Sequence, residues 1–153
     1  MTFTIGPANP TDPAIRALIA AHIAHGDAHY PSESNHHLDV DDYADGKTTL
    51  YAAWDGETAL GMLGIKPLSG TTAEVKSMHV LAAGRGRGVG TALLAHLLTA
   101  ARKAGTTQLF LETGSAEASA AARRLYERHG FAYCPPFEGY SPDPNSVFMT
   151  RTL

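Results

Sequence analysis

The run Gly84-Arg85-Gly86-Arg87-Gly88-Val89-Gly90 carries the plainest chemical signal in the chain. Glycines at alternate positions leave backbone N–H groups unshielded, and an amphipathic helical pattern follows directly behind them. The unsatisfied first-turn donors of such a helix, and the positive end of its dipole, suit an anion, phosphate above all. Two common phosphate signatures fail. A P-loop needs G-x-x-x-x-G-K-[ST], and no Lys-Ser or Lys-Thr occurs in the turn. A dinucleotide turn needs G-x-G-x-x-G, but Gly84-x-Gly86 puts Val89 at the third site and Gly86-x-Gly88 puts Thr91 there. The turn also sits in mid-chain rather than in an opening βαβ unit. What does fit is R-x-x-G-x-G, as Arg85 to Gly90.

Such a turn has to be held between a strand and a helix, and the flanking sequence supplies both. Val75 to Val80 reads as the strand. Val89, Leu93, Leu94, Leu97, Leu98 and Ala101 mark one face of the helix, with Lys103 and Gly105 as its stop. Ahead of the turn, Phe3 to Ile5 is a short strand ended by Gly6-Pro7. Asp12-Pro13 caps a helix with Ile15, Leu18, Ile19 and Ile23 on its apolar stripe and Gly26 as its end. The stretch from His25 to Gly46 is polar and rich in histidine and acid. It reads as a partly ordered surface loop with one short helix from Leu38 to Tyr43. Leu50 to Trp54 and Ala59 to Pro67 form a hairpin on Asp55-Gly56, which suits a type I′ turn. After the central helix come a strand from Gln108 to Glu112, an alanine-rich helix from Ser115 to Arg128 with His129-Gly130 as its exit, and closing strands Phe131 to Cys134 and Val147 to Thr152. This order predicts a mixed α/β sheet.

The totals narrow the class. A chain of 153 residues with 44% hydrophobic and 18% charged residues is expected to fold as one globular domain spanning 1–153. A net charge of −3 argues against a general nucleic-acid binder. A single cysteine forms no internal disulfide, the N-terminus lacks a signal-peptide pattern, and no apolar run approaches membrane-spanning length. The expectation is a cytoplasmic protein without nucleic-acid or membrane partners, either monomer or homodimer.

With Arg85 to Gly90 placed between strand and helix, the chain resembles the GNAT superfamily of acyl-CoA-dependent N-acyltransferases. Glu74 lies eleven residues before Arg85, at the family's strand-4 carboxylate position, and Leu125 to Phe131 matches the family's L-Y-x-x-x-G-F. A narrower resemblance runs through Pro31 to His36, Glu74 to Met78, Leu111 to Ser115, Cys134 to Phe137 and Asn145 to Met149. These segments are similar to the small bacterial YsnE-like N-acetyltransferases. The resemblance implies a central mixed, mostly antiparallel sheet of six or seven strands flanked by helices. The sheet would splay between the strands ending at Val80 and Glu112. It also implies that acetyl-CoA lays its pyrophosphate on the turn, held by Arg85, Arg87 and the backbone of Gly86, Gly88, Val89, Gly90 and Thr91. The backbone of Met78, His79 and Val80 would pair with the pantetheine arm. Many members carry an asparagine seven residues before the tyrosine; Ser119 stands there in this chain, so that contact is shorter or absent.

Amine acylation needs a neutral amine and a protonated leaving thiol, hence a base and an acid. By resemblance Tyr126 is the acid, its hydroxyl beside the coenzyme A sulfur; the alternative is a tyrosine packed on the core. Glu74 is the candidate base, acting through water, and alternation puts it on one face with Lys76 and Met78. Its alternative is an exposed carboxylate paired with Lys76. Glu112 rivals it as base or as substrate contact. Glu33 and His36 lie where the family builds its acceptor pocket, with Tyr30 and Tyr140 as walls. His25 and His29 have i, i+4 spacing, but Gly26 is expected to end the helix between them, and no H-E-x-x-H or cysteine pattern supports a metal. Cys134 reads as a small buried strand residue. The expected activity is transfer of acetyl from acetyl-CoA to the primary amine of a small acceptor, an amino acid or related metabolite. A non-catalytic acyl-CoA sensor and a protein or peptide N-acetyltransferase stay open beside it.

Overall fold

A computed structural model describes residues 2–34, 43 and 46–153. A seven-stranded sheet runs through it in the order β1-β2-β3-β4-β5-β7-β6. The strands are β1 (Thr4–Ala8), β2 (Thr49–Asp55), β3 (Thr58–Pro67), β4 (Thr72–Val80), β5 (Gln108–Gly114), β6 (Ala132–Cys134) and β7 (Ser146–Thr152). All neighbours are antiparallel except β4 and β5. Three α-helices among the described residues, α1 (Pro13–His29), α2 (Val89–Lys103) and α3 (Ala120–Arg128), cover the two faces.

The two faces carry separate cores. On one, α2 buries the predicted stripe of Val89, Leu93, Leu94, Leu97, Leu98 and Ala101 against Leu63, Val75, Leu109 and Leu111, with Leu125 and Tyr126 of α3 beside them. On the other, Ile15, Leu18 and Ile19 of α1 pack on Leu50, Ala52 and Met62. Burying a side chain of this size contributes roughly 2 kcal/mol, so the two stripes also fix where each helix sits on the sheet.

The parallel pair β4–β5 is where the sheet opens. Pairing runs only from Thr72↔Gln108 to Val75↔Leu111. Beyond it, Lys76 to Val80 and Glu112 to Gly114 continue without each other, which is the expected splay. A second irregularity lies in β4 itself. Gly64 pairs with Lys76 and Met62 with His79, so β4 carries one extra residue, and Ser77 takes φ +62°. Such a bulge reverses the alternation beyond it. Met78 and Val80 therefore join Val75 on the α2 side, while His79 faces α1. The expectation that Met78 shares a face with Glu74 and Lys76 is corrected by that one residue.

Local signals account for four further differences. β1 runs through Gly6-Pro7 to Ala8, because it is an edge strand whose proline needs to give no ladder bond on the open side. Helix α1 does not stop at Gly26 but continues to His29, with Tyr30 N–H closing on the Gly26 carbonyl at 2.9 Å. At the β2–β3 turn, Gly56 has φ +61°, and Ser77 is the only non-glycine with positive φ among the described residues. Positive φ at the first central residue alone is the type II′ pattern, not the expected I′. The helix predicted from Ser115 begins as a 3₁₀ turn at Glu117–Ser119 before α3. The short helix predicted over Leu38 to Tyr43 falls outside the described residues apart from Tyr43.

Candidate active site

The glycine turn leads from β4 into α2 as the sequence suggests. Gly86 and Gly88 take φ +74° and +78°, left-handed values that a β-carbon disfavours. Gly88 serves as the helix N-cap without any side-chain bond. The first helical bond runs from Ala92 N–H to the Gly88 carbonyl at 3.0 Å, so Val89, Gly90 and Thr91 stand before it with first-turn donors. Val89's side chain is buried in the core. It can offer a ligand only its backbone. The two arginines part company: Arg85 lines the cleft described below, whereas Arg87 turns to Asp55, its Nη2 donating to Oδ2 at 3.1 Å.

The splay between β4 and β5 opens into a cleft of about 330 Å³. One end, near the turn, is lined by Arg85, Met78, His79 and Val80; Tyr126 of α3 lines the cleft as well, as do Ser119, the residue just before α3, and Tyr30, which is bonded to it. At the far end stand Glu74, Lys76, Glu112 and Tyr140. Because the cleft passes through the opened sheet, it joins groups from both faces, which a closed sheet would keep apart.

Tyr126 is 4% exposed and lies edge-on to Phe131 with ring centroids 5.8 Å apart. Burial, with the Glu112 charge adding to it, pushes its hydroxyl above the usual tyrosine range. It therefore stays protonated. No hydrogen bond from the described residues holds that hydroxyl. Glu112 is the opposite case. Burial raises its carboxyl to about 7, aided by the Glu74 and Asp143 charges and opposed by the Ser146 hydroxyl and Lys76.

Glu74 is not the exposed carboxylate that the simple pairing reading expects. It is 5% exposed, and its Oε2 accepts both the Tyr140 hydroxyl at 2.5 Å and the Lys76 ammonium at 3.3 Å. Lys76 also donates to the Tyr140 oxygen at 3.3 Å. Burial and Glu74 push the Tyr140 hydroxyl well above its ordinary range. Tyr140 is seated on Phe137 and Phe148, with centroids 4.8 Å and 5.5 Å away.

Tyr30, the C-cap of α1, reaches across to the β5 end. Its hydroxyl is 2.5 Å from Ser119 Oγ and accepts Ala116 N–H at 3.3 Å. Only glycine permits this at position 114, where a β-carbon would lie 1.6 Å from the Tyr30 oxygen. Ser119 is thus engaged by Tyr30. Of the other predicted substrate residues, Glu33 is exposed in a 3₁₀ turn and outside the lining, and His36 lies outside the described residues.

Several cleft residues escaped the sequence. Ser34 and Asn145 line it through Asp143, whose Oδ2 accepts Ser34 Oγ–H at 2.5 Å and whose Oδ1 accepts Asn145 N–H at 2.8 Å. His22 and His25 line it from α1, and His22 Nδ1 is 3.3 Å from His79 Nδ1. Since α1 runs past Gly26, the His25 and His29 rings do meet, tilted at 53° with centroids 4.6 Å apart. No group of three or more ligating side chains among the described residues has metal-binding geometry. Burial, with His25 and Arg85 nearby, lowers His79 to about 4, so its ring is neutral at physiological pH. Cys134 is half-buried on β6, and burial raises its thiol. No helix among the described residues is long and apolar enough to cross a membrane.

Residues 17–131 match the model of the Acetyltransferase (GNAT) family. The chain is 38% identical over 151 residues to the uncharacterized N-acetyltransferase YedL of Escherichia coli (strain K12), covering 99% of this chain and 95% of that protein. It is 42% identical over 123 residues to the uncharacterized N-acetyltransferase YsnE of Bacillus subtilis (strain 168), covering 80% and 82%. A solved structure from Klebsiella pneumoniae subsp. pneumoniae, described as an acyl-CoA N-acyltransferase, superposes with TM-score 0.84 at 32% identity over 99% of this chain and 98% of that one. Solved proteins of the same fold with acetyl-CoA bound stand further off, at 21% and 22% identity and TM-score 0.72.

Proposed function

Because the chain belongs to the GNAT family and is thereby an acyl-CoA-dependent acetyltransferase, we propose that it moves acetyl from acetyl-CoA directly to the primary amine of a small acceptor. The observation that carries this reading is the single cleft that runs from the anion-binding turn, past Tyr126, to Glu112. Arg85 and the N–H groups of Gly86 to Thr91 hold the pyrophosphate, and the Met78 to Val80 backbone runs beside the pantetheine arm. Position 119 contributes nothing strong to that arm, because Ser119 is shared with Tyr30.

The step balances with two protein groups. The amine nitrogen forms a bond to the thioester carbonyl carbon as the carbon–sulfur bond breaks. The nitrogen's proton passes to a carboxylate, and the thiolate takes a proton from Tyr126. Of the two candidate bases, Glu112 suits the work better. A group near 7 is half-ionised at working pH and retains useful basicity. Glu74 has one oxygen occupied by both Tyr140 and Lys76, so it positions those two instead.

Incubating the protein with acetyl-CoA and a panel of small amines tests the reading. Amine-dependent thiol release with a matching N-acetyl product is expected. Coenzyme A binding with no amine turned over sinks it and favours a sensor. Protein substrates acetylated in place of free amines would point to a protein acetyltransferase.

The arginines give a second expectation. Arg85→Ala raises KM for acetyl-CoA by about tenfold, the loss of one charge-assisted phosphate contact. Arg87→Ala changes it by less than about twofold and at most lowers stability by under ~1 kcal/mol, since its Asp55 partner is 52% exposed. Steady-state kinetics on both variants decide it; equal KM effects would remove the division of labour.

A further inference from the structure

Helix α1 and its C-cap, Tyr30, are bonded to both segments that part at the splay. On the β4 side, His22 Nδ1 stands 3.3 Å from His79 Nδ1. On the β5 side, Tyr30 lays its hydroxyl over Gly114, 2.5 Å from Ser119 Oγ, and accepts the Ala116 N–H at 3.3 Å. The residues it reaches join β5 to α3, the helix that carries Tyr126. Ser119 holds the N-cap position of α3, yet its side chain makes no capping bond. A serine there ordinarily accepts a first-turn N–H and steadies the helix. Its hydroxyl goes to Tyr30 instead, so the start of α3 is tied to α1 rather than to itself.

An outside tie matters for this helix. It has nine residues, a length that is not stable without tertiary contacts. Arg123 holds the same connection, its Nη1 donating to the Gly114 and Ala116 carbonyls, both at 2.7 Å. At the other end, Phe131 N–H closes on the Tyr126 carbonyl at 3.1 Å, and the Phe131 ring meets the tyrosine edge-on. The Tyr126 hydroxyl has no bond of its own from the described residues. Its place in the cleft therefore follows from where α3 lies. Resting on the transfer reading above, in which Tyr126 protonates the departing sulfur, we infer that Tyr30 is a positioning residue for that acid. Through Ser119 and Ala116 it fixes the start of α3, and with it the approach of the Tyr126 hydroxyl to the sulfur. Tyr30 itself gives and takes no proton.

Tyr30→Phe keeps the ring over Gly114 and removes the hydroxyl, and Ser119→Ala removes the other partner. With an acceptor from the amine panel, each variant is expected to lower kcat about tenfold, because a small misplacement of a reacting group is costly. KM for acetyl-CoA should stay within about threefold, and the melting temperature within a few degrees. Together the two should lose no more than either alone, since they break one bond. The deciding measurement is made in Tyr126→Phe, where adding Tyr30→Phe should lower kcat less than about twofold: with the acid gone, nothing remains to be placed. A full tenfold loss there, or an unchanged kcat in Tyr30→Phe alone, overturns the inference while the transfer reading stands. So does a loss that falls on KM for acetyl-CoA, which would mean that the pair binds the cofactor directly. If the unaltered protein releases no thiol with any amine of the panel, both readings fall together. Should one of the two hydroxyl variants not fold, the other carries the same comparison.

Discussion

Glu112→Gln should lower kcat/KM at pH 8 by 10²–10⁴-fold, the usual contribution of a positioned base, and at the same pH raise the melting temperature. The two effects share one cause. Burial lifts the carboxyl from 4.5 to about 7, so the folded state binds a proton more tightly than the unfolded one. A raised carboxyl gives no penalty below the unfolded value. As pH climbs from 4.5 to 7 the folded protein must either keep that proton or bury a charge, and stability is lost until the full cost is reached above 7. The size of the shift corresponds to about 3 kcal/mol at 1.36 kcal/mol per pH unit, and an amide that must find its own partners recovers about half of it. Thermal melts of both proteins between pH 4.5 and 8 should therefore diverge as pH rises, Gln above Glu. The unaltered enzyme's kcat/KM should drop tenfold per unit below pH 7, and in the variant that limb should vanish. A stability difference that does not change with pH would show that Glu112 titrates as an ordinary carboxyl and would remove it as the base.

What the sequence discloses and what it hides follow from the range of the interactions involved. The turn, α2 and the Leu125 to Phe131 segment are set by neighbours a few residues apart: glycine conformation, a 3.6-residue stripe, a helix exit. Those features stand where the pattern puts them. The face of Met78 depends on one extra residue in β4 at Ser77, and a bulge leaves no mark in an alternating pattern when the strand continues on both sides. Gly26 reads as a helix stop, yet α1 carries on because Tyr30 supplies the closing bond. The environment of Glu74 is less visible still. Its tyrosine partner is 66 residues away, on a loop whose prolines suggest only a connection. Tyr30 over Gly114 is of the same kind: the missing β-carbon is visible in the sequence, the ring that needs the space is not. Family motifs bridge part of this gap for Tyr126, but they say nothing of the burial of Glu112 or of the Lys76 and Tyr140 bonds to Glu74, which set the two carboxyls apart.

Tyr126→Phe should lower kcat by at least about 100-fold, within the range for loss of a general acid, while KM for acetyl-CoA stays within about threefold. The fold should barely register the change. The ring keeps its edge-on contact with Phe131, and the hydroxyl has no hydrogen bond from the described residues to lose; a melting temperature within a few degrees of the parent is expected. That combination separates the acid from a packing residue, for which Phe would be neutral in both measurements. The proton is available at every working pH, since burial and the Glu112 charge hold the hydroxyl above its ordinary range. Loss of Tyr126 therefore scales the pH profile down without moving the limb that belongs to Glu112. The double variant carries the argument one step further. In the proposed mechanism base and acid serve one bond exchange, so the Glu112→Gln and Tyr126→Phe losses should not multiply; the pair should lose less than the product of the singles. Strict multiplication would mean that the two groups contribute independently rather than as a unit. An unchanged kcat in Tyr126→Phe would end the assignment altogether, leaving water in the cleft as the proton donor.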